Sequence, residues 1–446
     1  MSAPVLDRRS FLALPVLATT PLAAQFDANR TPKNLRIEAV DVVVTNPDER
    51  PLGNYVLVKI TTSEPGLYGW GDATCSGSEM AVATMLEEHL APALIGRDPM
   101  QIGNLWQTLY HLPYYRSGSV HMSAMSGIDM ALWDIKGKVA GLPVYELLGG
   151  KMRERLLTYR SAGGASIEEV EDGARALMER GYKVVKVQVA APGAESGYAV
   201  PSSERVQAET QAAYDRGVPP SQLWEPEPYV RILPKLFAHL RKTVGDQVGL
   251  LHDVHERVTP SQAIRLAKAL EEYDLFYLED VLRPEHLDTY AIIRQQCSTP
   301  LAMGEVYTGA WEGLQLITDH LIDYARHDIA HVGGISTLRK VAALCEPYGI
   351  ETAFHGPGNI SPVSHMAHCH VSYSVPNFGI QEFAVGWGDG VRAVFSASPV
   401  FEDGYISIHD MPGLGIDVNE DEARKRPYKR RLRPTIRRAD DTPWAY

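Results

Sequence analysis

The stretch LLHDVHE, residues 250–256, ends an apolar run with His252, Asp253, His255 and Glu256, four ionisable side chains in five positions. Two later apolar runs also end in an acid, at Glu279 in LED and at Glu305 in GE. The steps from Asp253 to Glu279 and from Glu279 to Glu305 are equal, 26 residues each. That is about the length of one strand-plus-helix unit. Equal steps put the three acids at equivalent positions on consecutive strands, and in a parallel barrel those strand ends share one mouth. Three carboxylates in one mouth repel one another, by about 4 kcal/mol for each pair about 4 Å apart at an effective dielectric near 20. Protonation or a bound cation must relieve this. Three hard oxygen donors suit Mg²⁺, with water and substrate oxygens completing its octahedron. The plainer account, an acid meeting solvent at a strand end, serves for any one of them but not for three in phase.

Later runs end in Arg326, His355 and Glu382. A strand repeats every two residues, so Asp253 and His255 are expected on one side and His252 on the other, packed or hydrogen-bonded. A histidine beside a metal site can act as acid or base near neutral pH.

The elements that would carry these residues can be read in order. Residues 35–63 alternate as two strands with a turn at Pro51, Gly53 and Asn54, and GLYGWGDAT (66–74) reads as a third. Residues 79–148 are helical in pattern, so 35–150 form an α+β unit. Beyond 150, eight short apolar runs alternate with amphipathic helices, the pattern of a βα barrel over 151–400. One interval, about 190–230, is too long for a connection and carries Tyr198. Residues 401–446 follow as a C-terminal segment returning to the first unit.

The net charge of −12 gives no general attraction to nucleic acid. A basic run from Lys429 to Arg438 reads as a solvated face. Four scattered cysteines imply no disulfide framework. In HMAHCH, His365, His368 and Cys369 share a helical face that could hold zinc, but no fourth ligand is near and packing is the expectation. Residues 1–25 read as an export signal, with Arg8-Arg9 before Ser-Phe-Leu resembling the twin-arginine type. That implies a periplasmic location without stable membrane insertion.

GIDMALWDIKGKVAGLPVYELLGG (127–150), together with the acid triad, resembles the enolase superfamily. LLHDVHERVTP, FYLED, MGEVYTG, HGPGNISPV and the terminal TPWAY resemble its mannonate dehydratase group. The resemblance implies a modified (β/α)7β barrel of the TIM type under an α+β capping domain. It implies Mg²⁺ on Asp253, Glu279 and Glu305, and abstraction of the proton next to a sugar acid's carboxylate. Tyr198 would be the base, and His255 the acid that expels the 3-hydroxyl. Arg326, His355 and Glu382 would contact substrate. The chain departs from the group at Lys186, where an arginine is usual, and a lysine there is either helper or base. It departs again at Ser76 and Ser161, where Asn and His face substrate, and at Asn359, where Asp is common. A rewritten polyol shell implies an acid sugar other than mannonate, or weak activity.

The expectation is a Mg²⁺-dependent dehydratase of an aldonic acid, similar to mannonate or gluconate dehydratases and assembling as a homo-oligomer. Two alternatives stand beside it. One is an exported binding protein that has lost catalysis. The other is a racemase using Lys186 with His255 or His355, which the Gln188 in place of a second lysine disfavours.

Overall fold

A computed structural model describes residues 34–50, 53–190, 221–383, 386–430 and 435–444. Strands β1 (Ile37–Thr45), β2 (Tyr55–Thr62) and β3 (Tyr68–Asp72) form an antiparallel sheet. The helix Ser119–Ala140 lies directly on it. Gly71 makes that contact possible, because a methyl there would stand 1.8 Å from the carbonyl oxygen of Gly127. Asp134 on the same helix accepts from the backbone of Trp70 and of Leu414, so one buried carboxylate ties sheet, helix and later chain together.

The barrel is built from β4 (Leu156–Gly164), β5 (Val184–Val189), β7 (Gly249–Asp253), β8 (Tyr277–Glu279), β9 (Leu301–Met303), β10 (Tyr324–Ala325), β11 (Glu351–Thr352) and β12 (Gln381–Glu382). Neighbours pair in parallel from β4 to β11, and β12 pairs with β4. A parallel bridge from Thr352 to Phe378 closes the circle. The short β6 (Ser221–Leu223) instead pairs with Thr435–Arg437. Alternation along the strands sorts the side chains. Tyr159, Val184, Leu251, Tyr277 and Ala302 fill the interior, while Val185, Val187, Leu250 and Leu278 pack outward against the helices. The chain after the barrel lies on the cap, where Thr45 donates to the carbonyls of Ala423 and Arg426, and Lys429 and Asn54 exchange hydrogen bonds.

Helix Pro362–Ser374 is buried along its whole length. His365 bonds the Pro357 carbonyl and His368 accepts from the Ile329 amide, which is packing and not a zinc face. All four cysteines are buried and unbridged. Among the described residues no helix is long and apolar enough to cross a membrane.

Candidate active site

Asp253 and Glu279 are the last residues of β7 and β8 and stand opposite each other in register. Glu305 lies two residues beyond β9, across Gly304. Gly304 has φ +142°, and a β-carbon there would press on His327 and the Arg326 amide at about 3.0–3.1 Å, so only glycine lets the chain turn Glu305 inward. One carboxylate oxygen from each of the three falls within 4.8 Å of the others. This is the one such group of metal-ligating side chains among the described residues.

The environment of the triad is that of a cation site. Glu279 is fully buried, and neither of its oxygens receives a well-aligned hydrogen bond. Burial, reinforced by Asp253 and Glu305, pushes its pKa up to about 8 against the pull of Arg326 and Lys186. Asp253 is buried too, yet His255 and Lys186 hold it well below the usual carboxylate range. Three converged carboxylates, one of them buried without a well-aligned hydrogen bond to either oxygen, are a hard oxygen donor set that fits Mg²⁺.

Lys186 on β5 enters the middle of this group. Its ammonium is 3.3 Å from Asp253 Oδ2, 3.3 Å from Glu279 Oε2 and 3.4 Å from Glu382 Oε1. Gln188 points inward two residues later, but its amide donates to the backbone carbonyl of Asp253 at 3.0 Å. The second position of the strand is therefore a brace, which leaves no strand lysine opposite Lys186.

His255 reaches the site by a different route from the one strand alternation suggests. The strand ends at Asp253, and His255 sits on a turn with φ +52°. Its amide donates to Asp253 Oδ1 at 2.9 Å, and its Nε2 lies 3.0 Å from Asp253 Oδ2. The ring is one-fifth exposed, on the cavity side. His252 faces outward, bonded to the Val187 carbonyl and to Tyr229, both at 2.6 Å, and burial pulls its pKa down to about 4.

His355 and Glu382 line the cavity. Burial alone would depress the His355 pKa, but Glu305 at 3.3 Å and Asp328 at 2.7 Å raise it to about 9. Asp328 was not singled out in the sequence; it orients His355 through Nδ1 and leaves Nε2 toward Glu305. Arg326, expected to contact substrate, is not among the residues that line the cavity. It is fully buried, ion-paired with Glu279 at 2.5 Å, bonded to Glu382 at 2.9 Å and donating to the Ala353 carbonyl at 2.8 Å. Its long side chain reaches the carboxylates, where it offsets their charge. Two more acids belong to the cavity, Asp280, which the sequence did not single out, and Glu256, to which it gave no role. Asp280 and Glu256 line the cavity on left-handed backbone, with φ +42° and +58°. Burial, and after it repulsion from Glu305, raises both, Glu256 to about 8.

The cavity above these groups measures about 820 Å³. Ser76 from the cap, with Ser161 and Asn359 from the barrel, form part of its wall, and the Asn359 amide donates to Ser76 Oγ at 2.9 Å. That bond ties cap to barrel across the mouth. Tyr198 and most of the insertion lie outside the described residues.

Two family models match the chain. "Enolase C-terminal domain-like" spans residues 169–422, and "Mandelate racemase / muconate lactonizing enzyme, N-terminal domain" spans 36–149. A D-galactonate dehydratase family member of Streptomyces bingchenggensis is 45% identical over 408 residues, 91% of this chain and 96% of that protein. The family member RspA of Halomonas elongata is 44% identical over 410 residues, 92% of this chain and all of that protein. Among solved structures, an enolase from Pantoea ananatis with bound D-gluconate and Mg is 43% identical, with a TM-score of 0.85 over 93% of this chain and all of that one.

Proposed function

The chain belongs to the enolase superfamily and, within it, to the D-galactonate dehydratase family, and on that footing we propose that it is a Mg²⁺-dependent acid-sugar dehydratase. It converts an aldonic acid to the 2-keto-3-deoxy acid by removing the C2 proton and expelling the 3-hydroxyl. The observation that carries this is the Asp253–Glu279–Glu305 triad, converged within 4.8 Å, with His255 beside it.

Bound by that triad, Mg²⁺ supplies positive charge where negative charge develops on the substrate carboxylate as the proton leaves. The protein's own groups do the rest. His255 presents Nε2 to the cavity beside Asp253, placed to give a proton to the departing hydroxyl. Tyr198 is assigned as the base from the family resemblance. An unperturbed tyrosine, pKa about 10, needs a nearby cation for that work, and Lys186 brings one to the site. Arg326 holds Glu279 and Glu382 in place, and Asp328 fixes the ring of His355.

Incubating the Mg²⁺-loaded protein with a panel of aldonic acids and assaying 2-keto-3-deoxy products tests this. Turnover of at least one acid, with mannonate a poor substrate, is expected. Silence across the panel from protein that binds Mg²⁺ would favour a binding protein without catalysis. We also propose that residues 1–25 export the chain to the periplasm by the twin-arginine route, on the strength of Arg8-Arg9 and the apolar run after them. Replacing both arginines by lysine should abolish export of a fused reporter; continued export would reject the route.

A further inference from the structure

The cavity is lined by cationic as well as acidic side chains. Two guanidinium groups, Arg50 from the cap and Arg160 from β4, line the same cavity as the acids. Arg160 abuts the segment Gly386-Trp387-Gly388, and Arg50 is linked to it through Asp48. Arg160 Nη2 stands 3.5 Å from where a β-carbon on Gly386 would be. Asp48 accepts from the Gly388 amide at 2.9 Å, and Arg50 Nε stands 4.0 Å from that same carboxylate. Neutral oxygens hold Arg50 over the cavity, since its Nη2 donates to the Tyr55 hydroxyl at 3.0 Å and the Gly358 carbonyl at 3.1 Å. Arg160 is half-buried, its side-chain partner is the Tyr182 hydroxyl, and no carboxylate pairs with it among the described residues. Beside them, Trp387 Nε1 and Asn359 Oδ1 are buried without hydrogen-bond partners among the described residues.

A neutral polyol end would need hydroxyl partners there, as Trp387 and Asn359 provide. It would leave the Arg160 guanidinium without an anion, and Arg50 with only the Asp48 carboxylate 4.0 Å from its Nε. A carboxylate or phosphate would supply one, because guanidinium groups bind such anions through paired, charge-assisted hydrogen bonds about twice as strong as neutral ones. We propose that Arg50 and Arg160 form a second anion subsite and that the substrate is an acid sugar which, unlike a simple aldonic acid, carries a second anionic group. One carboxylate is activated over the triad, and the other anionic group, a second carboxylate or a phosphate, is held by the two guanidinium groups. This deepens the dehydratase reading and rests on it for the identity of the first carboxylate.

The test compares the Mg²⁺-loaded full chain and its R160Q variant on monoanions (gluconate, galactonate), dicarboxylates (glucarate, galactarate) and 6-phosphogluconate. Both kcat/KM and calorimetric affinity are read. At least one dianion should be preferred to the monoanions by about 10-fold or more, as expected for charge-assisted bonds. R160Q should cut the dianion-to-monoanion ratio by about 30-fold, and R160K should restore part of it. The preferred dianion tells carboxylate from phosphate. If the wild type binds monoanions as tightly as every dianion, or if R160Q leaves the ratio unchanged, the subsite is rejected. If R160Q does not fold, R50Q serves for the same comparison. Should no acid be turned over, the dehydratase reading fails, while the affinity ratio still decides the subsite.

Discussion

Replacing Glu279 with glutamine is expected to reduce turnover at least 1,000-fold and to remove the protein's stabilisation by Mg²⁺, while leaving the fold intact. Glu279 is the fully buried member of the triad, with no well-aligned hydrogen bond to either oxygen. In the metal-free protein its charge is a burden, since burial and the neighbouring Asp253 and Glu305 push its pKa to about 8. Glutamine keeps the shape and removes that charge. Arg326 keeps Glu382 at 2.9 Å and the Ala353 carbonyl at 2.8 Å, so the buried guanidinium is not stranded. The folded state should therefore survive. A cation, by contrast, loses one of three charged donors, and an amide oxygen is a poor replacement for a carboxylate. A ligand that binds only the native state at 100 times its dissociation constant stabilises by about 2.7 kcal/mol. Thermal unfolding with and without Mg²⁺ checks this directly. The wild type should show a clear Mg²⁺-dependent rise, and E279Q should melt at one temperature in both conditions. A retained rise in E279Q would mean that the cation sits elsewhere. The same experiment separates the alternatives, because a binding protein that has lost catalysis would keep the rise in its wild-type form without any turnover.

How far the site could be read in advance depended on what each residue's position obeys. The triad was legible because a parallel barrel repeats, so strand ends recur at a nearly fixed chain interval and share one mouth. The outward face of His252 was legible from the two-residue period of a strand. His255 was placed on the right side for an incomplete reason, since the strand ends two residues before it and a left-handed turn, not the pleat, brings it to Asp253. Arg326 is legible as a site residue, but its expected contact with substrate does not follow from its place at a strand end. A strand-end position fixes a Cα, and a side chain as long as arginine can follow the nearest uncompensated carboxylates instead. Asp328 and Asp280 carried no periodic signal, and their roles come from loops that meet only in the folded barrel. Arg160 was hidden by alternation. It is the neighbour of Ser161 and should point the other way, yet its length carries it around to Gly386.

His255→Asn and Tyr198→Phe should separate the two halves of the reaction. If Tyr198 takes the C2 proton and His255 gives one to the leaving hydroxyl, His255→Asn should lose dehydration by 100-fold to 10,000-fold, the usual worth of one positioned acid or base. It should nevertheless keep exchange of the C2 hydrogen with deuterated solvent, because the base and the triad are intact. Asparagine can still hydrogen-bond Asp253 in place of the imidazole 3.0 Å away, so the carboxylate is not abandoned. Tyr198→Phe should lose exchange and dehydration together. Proton exchange followed by nuclear magnetic resonance, beside an assay for the keto product, reads both. Were His255→Asn to lose exchange as well, His255 would be doing the work of the base, and Tyr198 would have to be reassigned. Were Tyr198→Phe to keep both activities, Lys186 would be the remaining candidate, already inside the site and 3.3 Å from two of the carboxylates. The position of Lys186 also explains why the two variants must be read together. An ammonium among three acids can either help a tyrosine lose its proton or accept one itself, and only the pattern of exchange against elimination distinguishes the two.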